Sequence, residues 1–272
     1  MLKVPSIVKR SFRFLTSYRT IGRAVSFILG FGEVPLLEFF SFLDKHTKYE
    51  YFSDLMAGMT RVYGSRVIPL NVSLSGVPAV SPTEEILNIV SRVESLAIGY
   101  CHCRNKNKNC DNEVWTCIHV GTAKDIESIG KQRPLKSATL DEVKDLILKS
   151  DHAGLVHQLI TAPSSEYFYV ICNCCPCCCV MLRSAINHGL GNTALASNFI
   201  STHDTEKCTN CGECVDRCYF GARRMEEFIL TYYPRYCVGC GLCVPACLTN
   251  AAEMRRRKDS EMATRPLKPL SD

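Results

Sequence analysis

The sequence predicts an α+β fold, on three observations. Two capping-box signatures open amphipathic helices, one aromatic and β-branched run marks a buried strand, and a four-cysteine pattern near the C-terminal end occurs twice. The organisation expected is a helical N-terminal region over 1–80, a cysteine-rich α/β domain over 81–199, an internally repeated module over 200–252 and a basic flexible tail over 253–272.

Along residues 1–32, Ile7, Phe14, Tyr18, Ile21, Val25 and Ile28 share one helical face among six basic and no acidic residues. That stripe is expected to dock on its own domain or on another subunit. Peripheral membrane contact ranks second and an organelle transit segment third. "SRVIPLNVSLSGVPAVSP" at 65–82 reads as linker or strand-and-turn structure. Ser81, Pro82 and Glu84 then start a helix expected to reach about residue 97, with Ile86, Val90, Val93 and Leu96 on one side. Thr139 and Glu142 open a second helix whose Val143, Leu146 and Ile147 form a buried face. "EYFYVI" at 166–171 reads as a buried strand and "VMLRSAINHGLG" as a short helix stopped by Gly189. The intervening cysteines therefore sit on a strand-to-helix turn.

Composition narrows the function classes. A hydrophobic fraction of 46% over 272 residues supports a packed core, and a net charge of +5 confined to the N-terminal segment and to "RRRK" at 255–258 does not describe a nucleic-acid binder. The apolar stretch "AVSFILGFGEVPLLEFFSFL" is broken by Glu33, Pro35 and Glu38, so no transmembrane span is expected. No signal-peptide pattern opens the chain, which places the cysteines in a reducing cytoplasm. Eighteen cysteines in four dense runs suit metal binding rather than a disulfide framework.

Two of those runs are "CTNCGECVDRC", with Cys208, Cys211, Cys214 and Cys218, and "CVGCGLCVPAC", with Cys237, Cys240, Cys243 and Cys247. Each is C-x2-C-x2-C-x3-C, a spacing that holds cubane iron–sulfur clusters, with the fourth cysteine ligating the cluster of the other repeat. The expected ligand sets are thus Cys208, Cys211, Cys214 and Cys247 for one [4Fe-4S] cluster, and Cys237, Cys240, Cys243 and Cys218 for the other. Zinc gives no reason for a third cysteine two residues on, twice over. Gly212 and Gly241 follow the second cysteine of each run, where a loop around inorganic sulfide leaves little room. Residues 200–252 resemble the bacterial-type two-[4Fe-4S] ferredoxin family, which makes this region a bacterial-ferredoxin-like domain by resemblance. The chain departs from that family in carrying Tyr219 and Leu248 where proline usually follows the fourth cysteine, which bears on loop shape and cluster solvation.

Ten cysteines lie upstream. Cys101, Cys103, Cys110 and Cys117 in "CHCRNKNKNCDNEVWTC" are the right number for a third cube, with His102 beside the ligands and Lys106 and Lys108 making the loop basic. Cys172, Cys174, Cys175, Cys177, Cys178 and Cys179 fall within eight positions. Either four of them hold a fourth cube, or all ten upstream thiols build a larger, non-cubane site. The order "CHCR", "GLVHQL" at 154–159, "ICNCCPCCC", "SNF" at 197–199 and the paired repeats resembles, over 80–252, a group of poorly characterised multi-cluster iron–sulfur proteins of anaerobes. Ten thiols also match the heterodisulfide-reductase type of subunit in number, though not in spacing.

The function expected is a multi-cluster iron–sulfur electron-transfer protein relaying low-potential electrons to or from a partner oxidoreductase or flavoprotein. The alternative is a catalytic reductase subunit whose upstream thiols bind substrate at an open iron, which requires an exposed pocket beside Cys172–Cys179. No glycine-rich phosphate loop follows a predicted strand, so no flavin or nicotinamide site is expected in the chain itself.

Overall fold

A computed structural model describes residues 64–68, 90–91, 95–120, 135–161, 168–188 and 196–258, together with Glu38, Phe39, Phe42 and Glu261. The amphipathic stripe of 1–32, the helix start at 81–84 and Gly189 lie outside these residues.

Six strands form one antiparallel sheet in the order β1-β5-β6-β3-β2-β4. They are β1 (Gly64–Ile68), β2 (Leu96–Tyr100), β3 (Trp115–Val120), β4 (Leu135–Ser137), β5 (Val156–Thr161) and β6 (Phe168–Cys174). Helix α1 (His102–Asn107) follows β2, α2 (Leu140–His152) links β4 to β5, and α3 (Val180–His188) follows β6. One detail differs from the sequence reading. The chain is helical at Val90 and Ser91, but Leu96 and Ala97 already belong to β2, so a strand and not a helix delivers the chain to Cys101. Residues 65–68, expected as linker or strand-and-turn structure, are strand: they pair with β5 and so join the central sheet from before the boundary placed at 80.

Strand alternation gives the sheet two different faces. Ile118, Val120, Leu159 and Ile171 point to one side, where they pack with Val143 and Ile147 of α2 and with Val90. Thr139 and Glu142 start α2 through the reciprocal cap the sequence foretells: Glu142 N–H donates to Thr139 Oγ1 at 3.2 Å, and Thr139 N–H donates to Glu142 Oε2 at 2.7 Å. The opposite face carries thiols. Val170, Cys101 and Cys117 pack there with Cys103 and Cys172.

Against that thiol face sits the C-terminal module. Strand β7 (Phe199–Ser201), helix α4 (Glu213–Asp216), the hairpin β8 (Arg223–Glu226) and β9 (Ile229–Tyr232), a 3-10 turn at Pro234–Tyr236 and β10 (Met254–Arg256) make up its frame. Val156, Cys174, Cys179 and Leu182 from the upstream part and Phe220, Val238 and Leu242 from the module form a single apolar cluster. The expected flexible tail from 253 begins instead as structure. Met254–Arg256 pairs with β7, and the buried Arg257 donates from Nε to Ser197 O at 2.9 Å and from NH2 to Cys237 O at 2.5 Å. The "RRRK" run is therefore partly a clamp on carbonyls rather than a solvated patch.

Replacing Thr139 with Ala removes the cap from α2 and is expected to cost about 1 kcal/mol, read as a lower midpoint in chemical denaturation. Total iron per folded chain should not change, because α2 packs on the face of the sheet that carries no thiols.

Candidate functional site

The two C-terminal cysteine repeats fold alike, and the reason is local. The residue before the second cysteine of each is left-handed, at φ 57° for Asn210 and 75° for Gly239, and so is the residue after it, at 85° for Gly212 and 84° for Gly241. Three turns then repeat in register: Val215 N–H to Gly212 O and Val244 N–H to Gly241 O, Cys218 N–H to Val215 O and Cys247 N–H to Val244 O, Gly221 N–H to Cys218 O and Asn250 N–H to Cys247 O. Left-handed residues set between right-handed ones turn successive N–H groups into a concavity that suits an anionic group. The glycine requirement at 212 is conformational rather than a matter of room, since a Cβ there would meet only Met225 Sδ at 4.0 Å. Gly239 is different. A Cβ on it would lie 2.0 Å from Phe199 O and 2.4 Å from Ser197 Oγ, because Ser197 Oγ donates to Gly239 O at 3.0 Å and pins this loop against β7.

The repeats exchange their fourth cysteines in space. Cys247 lies with Cys208 and Cys214 in one cluster of side chains, along with Cys243, whereas Cys218 is close to Cys237 and Cys243 and neighbours Cys240. Cys211 is exposed. Burial raises the Cys240 thiol well above its ordinary value and the Cys218 thiol to about 11. Between the two sets lies Arg223, 2% exposed, whose NH1 points at Cys214 Sγ from 3.9 Å while NH2 donates to Ser201 Oγ and Thr202 O at 2.6 Å each. Cys243 in turn donates to Ser201 Oγ at 3.4 Å. Sequence reading passed over Arg223, since it lies outside both motifs.

The ten upstream thiols divide differently from the expectation. Cys101, Cys103 and Cys117 do not stay with Cys110. They join Cys172, Cys174 and Cys179 in a run of thiol–thiol neighbours: Cys101 to Cys117, Cys117 to Cys172, Cys172 to Cys174, Cys174 to Cys179 and Cys179 to Cys103. Thiol–thiol hydrogen bonds, burial and mutual repulsion of the thiolates push Cys101, Cys103, Cys172 and Cys174 far above the usual range. The other four thiols, Cys110, Cys175, Cys177 and Cys178, gather with all Sγ atoms within 4.8 Å of one another. Strand alternation explains the split. Cys172 and Cys174 share a face of β6, the turn over 175–178 swings three sulfurs away, and Cys179 at the entry to α3 returns to the first group. Asn173 points to the other face, where its Oδ1 meets His157 Nδ1 at 2.6 Å and its Nδ2 donates to Thr116 O at 2.7 Å.

Arg104 of the "CHCR" run stands between the groups. It is 2% exposed, and its Nε donates to Cys175 Sγ at 3.4 Å, NH1 to Thr116 Oγ1 at 2.9 Å and to Glu113 O, and NH2 to Asn173 O at 3.0 Å. Charge from Cys101, Cys175 and Cys174 is near enough to be felt by its guanidinium. Gln158 Nε2, from the "GLVHQL" run, donates to Cys179 Sγ at 3.6 Å. His102 and Lys106 face Glu38, at 3.8 and 3.4 Å, so the histidine beside the ligands looks toward a carboxylate.

A family model described as 4Fe-4S binding domain matches residues 202–224. This part of the chain, with Cys208, Cys211, Cys214 and Cys218, is accordingly an iron–sulfur, ferredoxin-type module. No curated protein and no solved structure matches the chain.

Ala at 239 and Ala at 212 should separate the two kinds of glycine. Gly212→Ala is expected to cost about 1–2 kcal/mol, the penalty of a left-handed alanine. Gly239→Ala adds steric overlap with the β7 backbone and should cost at least about 3 kcal/mol. Thermal unfolding of the two variants checks the order.

Proposed function

We propose that the protein is a multi-cluster iron–sulfur electron carrier that passes low-potential electrons to or from a partner oxidoreductase. In this reading Cys208, Cys211, Cys214 and Cys247 hold one [4Fe-4S] cluster, and Cys237, Cys240, Cys243 and Cys218 hold a second. Cys101, Cys103, Cys117, Cys172, Cys174 and Cys179 hold an iron–sulfur cluster of their own. A bound cluster supplies reversible one-electron chemistry; the chain supplies thiolates, an apolar surround and buried cationic hydrogen-bond donors.

The observation that carries the reading is the apolar cluster common to both regions. Cys174 and Cys179 of the six-thiol group belong to it, and Cys240 packs against it together with Tyr219. Electron transfer weakens steeply with distance, so redox groups seated on one small core are placed for a relay. A groove of about 470 Å³ bordered by Trp115, Lys136, Glu142 and Lys149 has no cysteine in its wall. Cys174, Cys175, Cys178 and Cys179 are buried, an arrangement that favours a carrier over a reductase that admits substrate to these thiols.

Iron and acid-labile sulfide counted on protein purified without air test the proposal. About twelve or more irons with matching sulfide per chain, reduced reversibly by a viologen, are expected. About eight would confine clusters to the paired repeats and remove the relay, and a colourless chain without labile sulfide would overturn the reading altogether. A second prediction concerns Arg223. Its positive charge next to Cys214 favours the reduced, more negative state, so Arg223→Gln should move the midpoint potential of one cluster to a more negative value in an EPR-monitored redox titration.

A further inference from the structure

The group Cys110, Cys175, Cys177 and Cys178 differs from the other thiol sets in its size. Among the described residues it is the one group of three or more Cys, His, Asp or Glu side chains whose potential ligand atoms all lie within 4.8 Å of one another. Cys110 Sγ is 3.6 Å from Cys175 Sγ and 3.8 Å from Cys178 Sγ, and Cys177 Sγ is 3.8 Å from Cys178 Sγ. Four thiolates around one metal ion at about 2.3 Å define a tetrahedron with an edge of about 3.8 Å. In a cubane the four thiolates sit on four different irons, and the iron–iron separation spreads their sulfurs further apart. Cys208, Cys211, Cys214 and Cys218, in the stretch that the 4Fe-4S family model matches, form no comparably tight group.

The surroundings are those of a thiolate site closed by the protein. Asn109 N–H donates to Cys178 Sγ at 3.3 Å, Asn112 Nδ2 to Cys110 Sγ at 3.5 Å and Arg104 Nε to Cys175 Sγ at 3.4 Å, so three of the four sulfurs have an N–H donor. Two further amides fix the backbone that bears the ligands: Asn107 Nδ2 donates to Cys178 O at 2.9 Å and Asn109 Nδ2 to Cys177 O at 2.7 Å. Four sulfur donors with no position left for substrate are the donor set of a structural zinc ion.

We propose that Cys110, Cys175, Cys177 and Cys178 bind a single zinc ion. It would clip the loop after α1 to the turn between β6 and α3, inside the two stretches, 101–117 and 172–179, that each send three cysteines to the six-thiol group. The proposal goes beyond the electron-carrier reading and does not rest on it.

The test uses the full chain purified without air and dialysed against a chelator. Zinc, iron and labile sulfide are counted, and the zinc K-edge absorption is recorded. About one zinc per chain with four sulfur neighbours at about 2.3 Å is expected. Cys110→Ala should lower retained zinc about tenfold or more while leaving iron and sulfide per chain unchanged. If that variant fails to fold, the zinc count and sulfur shell of the unaltered chain decide alone. A chain without zinc overturns the proposal, as does a Cys110→Ala variant that loses about four irons and four sulfides, the mark of a cube. Loss of a single iron without sulfide would overturn the choice of zinc.

Discussion

A buried guanidinium holds the upstream half of this molecule in order. Arg104 reaches a sulfur, a hydroxyl and two carbonyls from three separate stretches of chain, the loop after α1, strand β3 and the strand β6 that leads into the cysteine-rich turn. Crowded thiols repel as they ionise, and the neighbouring thiols raise Cys101 and Cys103 above their ordinary value. A fixed positive charge between that group and the compact one eases both without belonging to either. Behind Asn173 the layer continues: its Oδ1 meets His157 Nδ1 at 2.6 Å, and His157 Nε2 lies 3.8 Å from Asp151 Oδ1 at the end of α2. The polar layer thus runs from the thiols through the sheet to the helix, and every step is buried. Such a network is stable only when complete, because a single missing partner strands a buried charge.

The parts of the site that were legible in the sequence are those fixed by local geometry. The C-x2-C-x2-C-x3-C spacing, the capping box at Thr139 and Glu142 and the strand leading to Cys172 are each decided within a few residues, and each folds as the local pattern indicates. The grouping of the upstream thiols was not legible, because it depends on which face of β6 a residue occupies and on a turn that reverses that assignment at Cys175. Spacing groups Cys110 with its sequence neighbours, yet its partners Cys175 and Cys178 lie 65 and 68 positions away. The asparagines between Cys103 and Cys117 carried a usable signal: a loop with Asn107, Asn109 and Asn112 around one cysteine offers several amide donors to carbonyls and sulfur.

Arg257 makes the same point for charge. A run of four basic residues near a chain end reads as solvated, but strand pairing of Met254–Arg256 with β7 places Arg257 over Ser197 and Cys237 and buries it. Ser197 in turn holds Gly239 through its hydroxyl, so "SNF" and the arginine act together on the loop between Cys237 and Cys240. The loop that presents these cysteines is thereby braced by residues about forty positions before it and about twenty after it.

The position after the fourth cysteine differs between the two repeats in how it meets the sheet. Leu248, in the second repeat, is 91% exposed. Its counterpart Tyr219 is packed against the apolar cluster common to the module and the sheet, and burial raises its hydroxyl above the ordinary value. The neighbouring Arg217 donates to His152 O at 3.1 Å, and a Cβ on Gly154 would come within 2.9 Å of both Arg217 NH1 and Tyr219 Oη. Gly154, left-handed at φ 74°, leaves the gap into which these two side chains fit at the turn between α2 and β5. Proline at 219 would meet the needs of the loop but not those of the joint, since it has neither the reach to the turn nor the aromatic face for the shared core. Tyr219, after the fourth cysteine of the first repeat, thus couples the module to the sheet, whereas Leu248 at the same place in the second repeat is exposed.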